Sequence, residues 1–200
     1  YILPNKYVGE DITERIQKVR DAMKEKGADV LVLTKLEDPC WMLNIRGNDI
    51  ESTPVSYAFA VVTEDEVVYY VDKAKVTDEV EKYFIEAKVT LKGYNDIEKD
   101  LEDLKDKKIW VNLRSFNTSF YSHLDSSNQI INEDSPVVLF RAIKNETELT
   151  NTINAHIKDG VAMVRFLYWL KHNIQIVPMT ERSAEDKLLS FREEQEGFIE

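Results

Sequence analysis

The sequence predicts an α/β fold, a mixed sheet with helices packed on its faces. Three observations carry that reading. Apolar residues recur at helical spacing in several segments, short runs rich in β-branched residues alternate with them, and two such runs lie close enough to form a hairpin. With 200 residues, 43% of them hydrophobic, and only 6 Gly and 5 Pro, the chain is long and apolar enough to build a core. It lacks the polar bias of a disordered chain.

In the first segment Ile12, Ile16, Val19 and Met23 fall on one helical stripe, Asp11 and Glu14 form a capping-box pattern, and Gly27 stands where the helix must stop. Residues 28–34 are a continuous apolar run that suits a strand covered on both faces. Residues 39–43 read as a short helix, closed by a turn at Arg46-Gly-Asn-Asp49 in which Gly47 and Asn48 tolerate positive φ. Runs 57–62 and 67–71 flank the acidic stretch Thr63-Glu-Asp-Glu66 and predict an antiparallel hairpin. A helix follows over 76–86 on Val80, Phe84 and Ile85, then a short strand at 89–91. Ile97, Leu101 and Leu104 mark another helix, and 108–112 another strand. Residues 135–140, Ser-Pro-Val-Val-Leu-Phe, read as the end of the last short strand.

Beyond that point the pattern becomes that of long helices. Asn145 and Glu148 offer a second capping box, and Leu149, Ile153, Ile157, Val161, Val164 and Tyr168 trace one face. Residues 178–181 interrupt it, and Ala184, Leu188 and Phe191 begin a further helix with Thr180 or Ser183 as its cap. The expected organisation is an α/β domain over 1–140 and a helical unit over 141–200. No internal repeat is visible.

Lys and Arg number 26 against 37 Asp and Glu, a net charge of −11, which opposes binding to nucleic acid or anionic membrane. A single cysteine, Cys40, excludes an intrachain disulfide and a four-cysteine zinc site, and fits a reducing cytoplasm. No apolar run approaches the roughly 18 residues a membrane helix needs, and the first residues lack the pattern of a signal peptide. The first residue is not Met and the last residues end on an apolar pair, Phe198-Ile199, so a segment of a longer chain is expected.

Residues that carry chemistry are sparse in pattern. His123, His156 and His172 have no metal-ligand spacing, and His156, three residues past Ile153, reads as a hydrogen-bonded structural histidine beside the apolar stripe. Acidic pairs such as Glu37-Asp38 and Glu133-Asp134 are adjacent in sequence and do not converge on one point, which suits solvated surface. Cys40 beside Trp41 reads as core, and no glycine-rich phosphate loop or serine-hydrolase elbow occurs. One turn stands out, residues 41–49, where Arg46, Asn48 and Asp49 cluster around Gly47. It has two readings: an internal Arg46–Asp49 clamp, or a contact to a ligand or a neighbouring domain.

The run Leu36-Glu-Asp-Pro-Cys-Trp41-Met-Leu-Asn44-Ile-Arg46-Gly47-Asn-Asp49-Ile, followed by Pro54-Val, resembles the second domain of the three-domain, cytosolic type of aminopeptidase P. A second block agrees: Arg141-Ala-Ile-Lys144-Asn145-Glu-Thr-Glu148, then Ala155-His156-Ile-Lys158-Asp159 and Trp169-Leu170, is similar to the opening of that family's catalytic domain. Thr180-Glu181, Ala184, Asp186, Phe191-Arg192 and Gln195 continue the match in order.

The resemblance implies a creatinase N-terminal-like domain followed by the first helices of a truncated "pita-bread" domain. It further implies that the whole protein is a metal-dependent exopeptidase that removes the residue preceding proline at a peptide's N-terminus, with two divalent metal ions, commonly manganese. The family's ligands, two Asp, one His and two Glu, match no position here, so the segment itself is expected to be inactive and to bind no metal. The expected partners are proline-containing peptides of the whole protein, its first and catalytic domains, and a second copy in a homodimer. Two other readings compete: a non-catalytic peptide- or protein-binding module on the same scaffold, as in a histone chaperone subunit with an aminopeptidase-like domain, and an acidic interaction domain using the apolar helix near 164–170. On the family reading, that helix packs on catalytic-domain strands outside this chain.

Overall fold

The computed structural model describes residues 1–199, in two compact units that meet in sequence between Lys144 and Asn145. In the first unit the elements run α1 (Asn5–Val8), α2 (Ile12–Lys26), β1 (Val30–Leu33), α3 (Glu37–Met42), β2 (Ala58–Thr63), β3 (Val67–Val71), a short 3-10 turn, α4 (Asp78–Glu86) and β4 (Val89–Gly93). They continue with α5 (Asp96–Glu102), β5 (Lys108–Val111), α6 (Thr118–His123), β6 (Gln129–Asn132) and α7 (Pro136–Ala142). The six strands form one mixed sheet in the order β4-β3-β2-β1-β5-β6.

Alternation along the strands assigns the two faces. Leu31, Leu33, Ala60, Val62, Val67, Tyr69 and Trp110 join Ile16 and Val19 of α2, Trp41 and Met42 of α3, Phe84 of α4 and Val137 of α7 in one cluster. Val30, Val32, Val61, Tyr70, Ile109 and Val111 join Ile97 and Leu101 of α5 and Phe120 of α6 in the other. Because β1 is buried on both sides, it reads as a continuous apolar run rather than an alternating one. Burying each such side chain contributes about 1.5–3 kcal/mol.

The helix α2 starts and stops as the residues predict: Asp11 accepts from the backbone of Thr13 and Glu14, Glu14 answers the Asp11 N–H, and Gly27 adopts φ 68°. The hairpin also forms, with Ala58 opposite Val71 and Val62 opposite Val67, and Thr63 N–H bonds Glu66 O across the turn at 2.9 Å. Three expectations fail. Ile85 is 68% exposed, so α4 packs through Val80 and Phe84, with Tyr83 partly buried beside them. Residues 135–140 are not a strand: Ser135 caps α7, with Pro136 in its first turn, where the missing N–H costs nothing. The final strand is instead β6, paired parallel with β5, after the unanticipated helix α6.

The second unit is a pair of helices, α8 (Glu146–Asn173) and α9 (Glu181–Glu193), that run past each other in opposite directions, with Arg192 beside Asp159 and Lys187 over Trp169. The predicted Asn145–Glu148 capping box forms, and of the two candidate caps of α9 Thr180 is the one used, with Ser183 answering it from N3. Ala162 is fully buried and Phe191 nearly so, while Arg192 binds Asp159 at 2.7 Å and the Arg165 guanidinium lies 4.5 Å from the Phe191 ring centre. The apolar stripe from Leu149 to Tyr168 is largely exposed, between 44% and 67% at its six predicted positions.

Candidate functional site

The turn 41–49 joins α3 to the segment leading into β2. The chain leaves α3 through Asn44, which takes φ 53°, so the left-handed residue is Asn44 rather than Gly47 or Asn48 as expected. Asparagine tolerates this conformation better than most side chains, and its Nδ2 donates to Glu10 O at 2.8 Å. Gly47 is required for space: a Cβ there would lie 2.1 Å from Ser56 Oγ and 3.0 Å from Val55 O.

Arg46 turns back on the helix it follows. Its Nη1 donates to Cys40 O at 3.0 Å and to Ile45 O at 2.8 Å, so a cation sits at the carbonyl end of α3. The N-terminal strap is pinned to the same turn, with Leu3 N–H on Asn44 O and Arg46 N–H on Tyr1 O, both at 2.8 Å. Asp49 is held otherwise than by Arg46: Oδ2 accepts from Tyr57 N–H at 2.7 Å, and Oδ1 from Lys75 Nζ at 2.8 Å. Partial burial opposes ionisation of Asp49, but the Lys75 ammonium and the Tyr57 amide outweigh it and hold the carboxyl below its usual range. The expected Arg46–Asp49 clamp is therefore replaced by two separate anchors, and Asn48, between them, is exposed.

Beneath the turn lies a dry floor. Cys40 is buried, and desolvation pushes its thiol above the ordinary value, which disfavours the thiolate. Arg15, fully buried, donates from Nη1 to Trp41 O at 2.8 Å and stacks its guanidinium 4.1 Å from the Trp41 ring centre, with Glu10 3.5 Å away. Arg15 and Lys75 were not foreseen as parts of this region, because their contacts span 26 residues each. The only hint in sequence was an arginine standing on the otherwise apolar stripe of α2.

His156 does not sit in a buried flank: it is exposed, and its Nδ1 meets Thr152 O at 2.8 Å within α8. Among the described residues no group of three or more His, Cys, Asp or Glu side chains could hold a metal ion. The described residues thus do not fit a dinuclear centre. No helix among the described residues is long and apolar enough to cross a membrane.

Known proteins resemble this chain over its whole length. The family model of the creatinase/prolidase N-terminal domain matches residues 1–148. Xaa-Pro aminopeptidase 1 of Dictyostelium discoideum is 34% identical over 205 residues, covering 100% of this chain and 32% of that protein. Aminopeptidase P1 of Arabidopsis thaliana is 31% identical, covering 98% of this chain and 38% of its own length. In structure, the X-prolyl aminopeptidase of Caenorhabditis elegans, described as a cytosolic enzyme with a di-nuclear active site, superposes with a TM-score of 0.91 at 23% identity over 100% of this chain and 34% of that one. The chain spans about a third of the length of the curated relatives it matches. It belongs to the creatinase/prolidase N-terminal domain family, in the company of Xaa-Pro aminopeptidases.

Proposed function

We propose that this chain is the supporting, non-catalytic part of a cytoplasmic, metal-dependent Xaa-Pro aminopeptidase, and that the turn 46–49 faces either the substrate cleft or a neighbouring domain. The observation that supports this reading most is the match of the whole chain to one third of such enzymes, beside a turn that Arg46 and Asp49 fix internally and that leaves Asn48 exposed. A cleft narrowed by such a domain admits extended peptides and excludes folded proteins. The two metal ions, manganese by resemblance, and the hydrolytic groups then belong to the remainder of the protein.

The test has two parts. The 200-residue chain, supplied with Mn²⁺ and a peptide with proline second, is expected to show no turnover; hydrolysis of the bond before proline would overturn the supporting role. In the full-length protein, Asn48→Ala is expected to lower kcat/KM with an unchanged melting temperature, since Asn48 is exposed. Arg46→Ala should lower both, because it also uncaps α3. Unaltered kcat/KM in both variants removes the turn from function. A full-length protein without peptidase activity, whose remainder lacks the two Asp, one His and two Glu, would favour the binding-module reading instead.

A further inference from the structure

Among the described residues Asp38 is the one acidic side chain that is fully buried, 1% exposed in the first turn of α3. What covers it is α7. Val137 of α7 is fully buried, Phe140 packs 6.3 Å from the Trp41 ring, and Arg141 in the last turn brings Nε to 3.4 Å from Asp38 Oδ1. Yet Asp38 Oδ1 and Arg141 Nε each lack a hydrogen-bond partner, so the two charges approach without an aligned bond. Lys35, the other nearby cation, donates instead to Asp134 Oδ1 at 3.2 Å.

An ionised carboxylate in this position is dehydrated by α7 and incompletely repaid by it. The groups facing it are known: Arg141 of α7 and Lys35 before α3 favour the charged form, the Ser135 hydroxyl at the α7 cap adds to them, and Glu37 opposes. We propose that α7 is a proton-linked clasp, seated more firmly on α3 when Asp38 takes up a proton and loosened when Asp38 ionises. Burial, the dominant influence, lifts the carboxyl from 3.8 to about 6. A group whose proton is held more tightly in the seated form stabilises that form fully at low pH, and the contribution is lost as pH rises through about 6. The clasp acts on the last helix before Asn145, where the second unit begins.

Amide hydrogen exchange on the 200-residue chain tests this, with protection factors corrected for intrinsic exchange at pH 5 and pH 7.5. The α7 amides, such as Ile143 N–H on Leu139 O, are expected to be about tenfold better protected at pH 5. The amides of α2 serve as the reference and should not follow. Asp38→Asn should flatten the dependence, Arg141→Gln should steepen it, and Glu37→Gln should leave it in place. Equal protection of α7 at both pH values, or a tenfold difference that survives in Asp38→Asn, overturns the clasp. Should Asp38→Asn not fold, the carboxyl carbon of Asp38 in the unmodified chain is followed by NMR. Its midpoint must coincide with that of the α7 protection change, and a midpoint belonging to a histidine instead refutes the proposal.

Discussion

The helices α2 and α8 begin on the same device and end in different surroundings. Each opens with a capping box, and each carries apolar residues at spacings of three and four. In α2 the stripe is inside: Ile12, Ile16, Val19 and Met23 are at most 5% exposed against the sheet. In α8 only Ala162 is buried, while Ile157 and Val164 are 61% and 67% exposed. Periodicity thus predicts a helix and a face that seeks cover, but the cover itself comes from elsewhere in the fold. For α2 it is one face of the sheet together with α3 and α7; for α8, the described residues supply chiefly the strip along Ala162 and Phe191.

The comparison is broken most easily in the first unit. Phe84 is fully buried with its ring centre 5.5 Å from that of Tyr69, and Phe84→Ala leaves a cavity among rigid neighbours. The expected loss is about 3–5 kcal/mol, read by chemical denaturation. Arg15→Ala should follow at about 3 kcal/mol, since it removes a buried guanidinium that bonds Trp41 O and Val8 O and stacks on the Trp41 ring. If Arg15→Ala costs less than about 1 kcal/mol, the buried guanidinium is replaceable by water and the dry floor beneath the turn is not what holds it.

The caps sharpen the comparison because they are local. Asp11→Ala and Asn145→Ala should each cost about 1 kcal/mol in their own unit, whatever the burial of the helix behind them. Only in the first does the N-cap side chain itself titrate. Hydrogen bonds from Thr13 and Glu14 hold the Asp11 carboxyl below its ordinary 3.8, so its contribution is present above that value and fades as pH falls beneath it. Asn145 does not titrate. The cost of Asp11→Ala, measured by denaturation at neutral pH and again well below 3.8, should shrink in acid; an unchanged cost would show that the Asp11 carboxylate is not what caps α2.

Much of the fold was legible because the deciding signals are short-range. The α2 cap, the hairpin and the doubly buried β1 each follow from residues within a few positions of one another. The misreadings have physical causes. Val137-Val138-Leu139-Phe140 has strand-like composition, and the Ser135–Pro136 start that makes it a helix lies just ahead of it. The strand β6 is a four-residue sheet edge, only partly buried, with too few residues to set a period. At the candidate site the turn was visible but its anchors were not: Asp49 pairs with Lys75 and Arg46 with Cys40 O, bonds that depend on where the sheet carries distant segments.

The smallest predicted effect is the most discriminating. In the 200-residue chain Ile157→Ala removes an apolar side chain that is already 61% exposed, so stability should change by no more than about 0.5 kcal/mol. The matching change on α2, Ile16→Ala, should cost several times more, about 2–4 kcal/mol, at a position 4% exposed. Both are isoleucines on the apolar stripe of a capped helix and both change to Ala, so helix propensity largely cancels and the ratio of the two losses measures cover. The same pair of substitutions in the full-length protein separates the two readings of α8. If the remainder of a larger enzyme packs on that face, Ile157→Ala rises toward the α2 value; if the face serves a transient partner, it stays small and binding is lost instead.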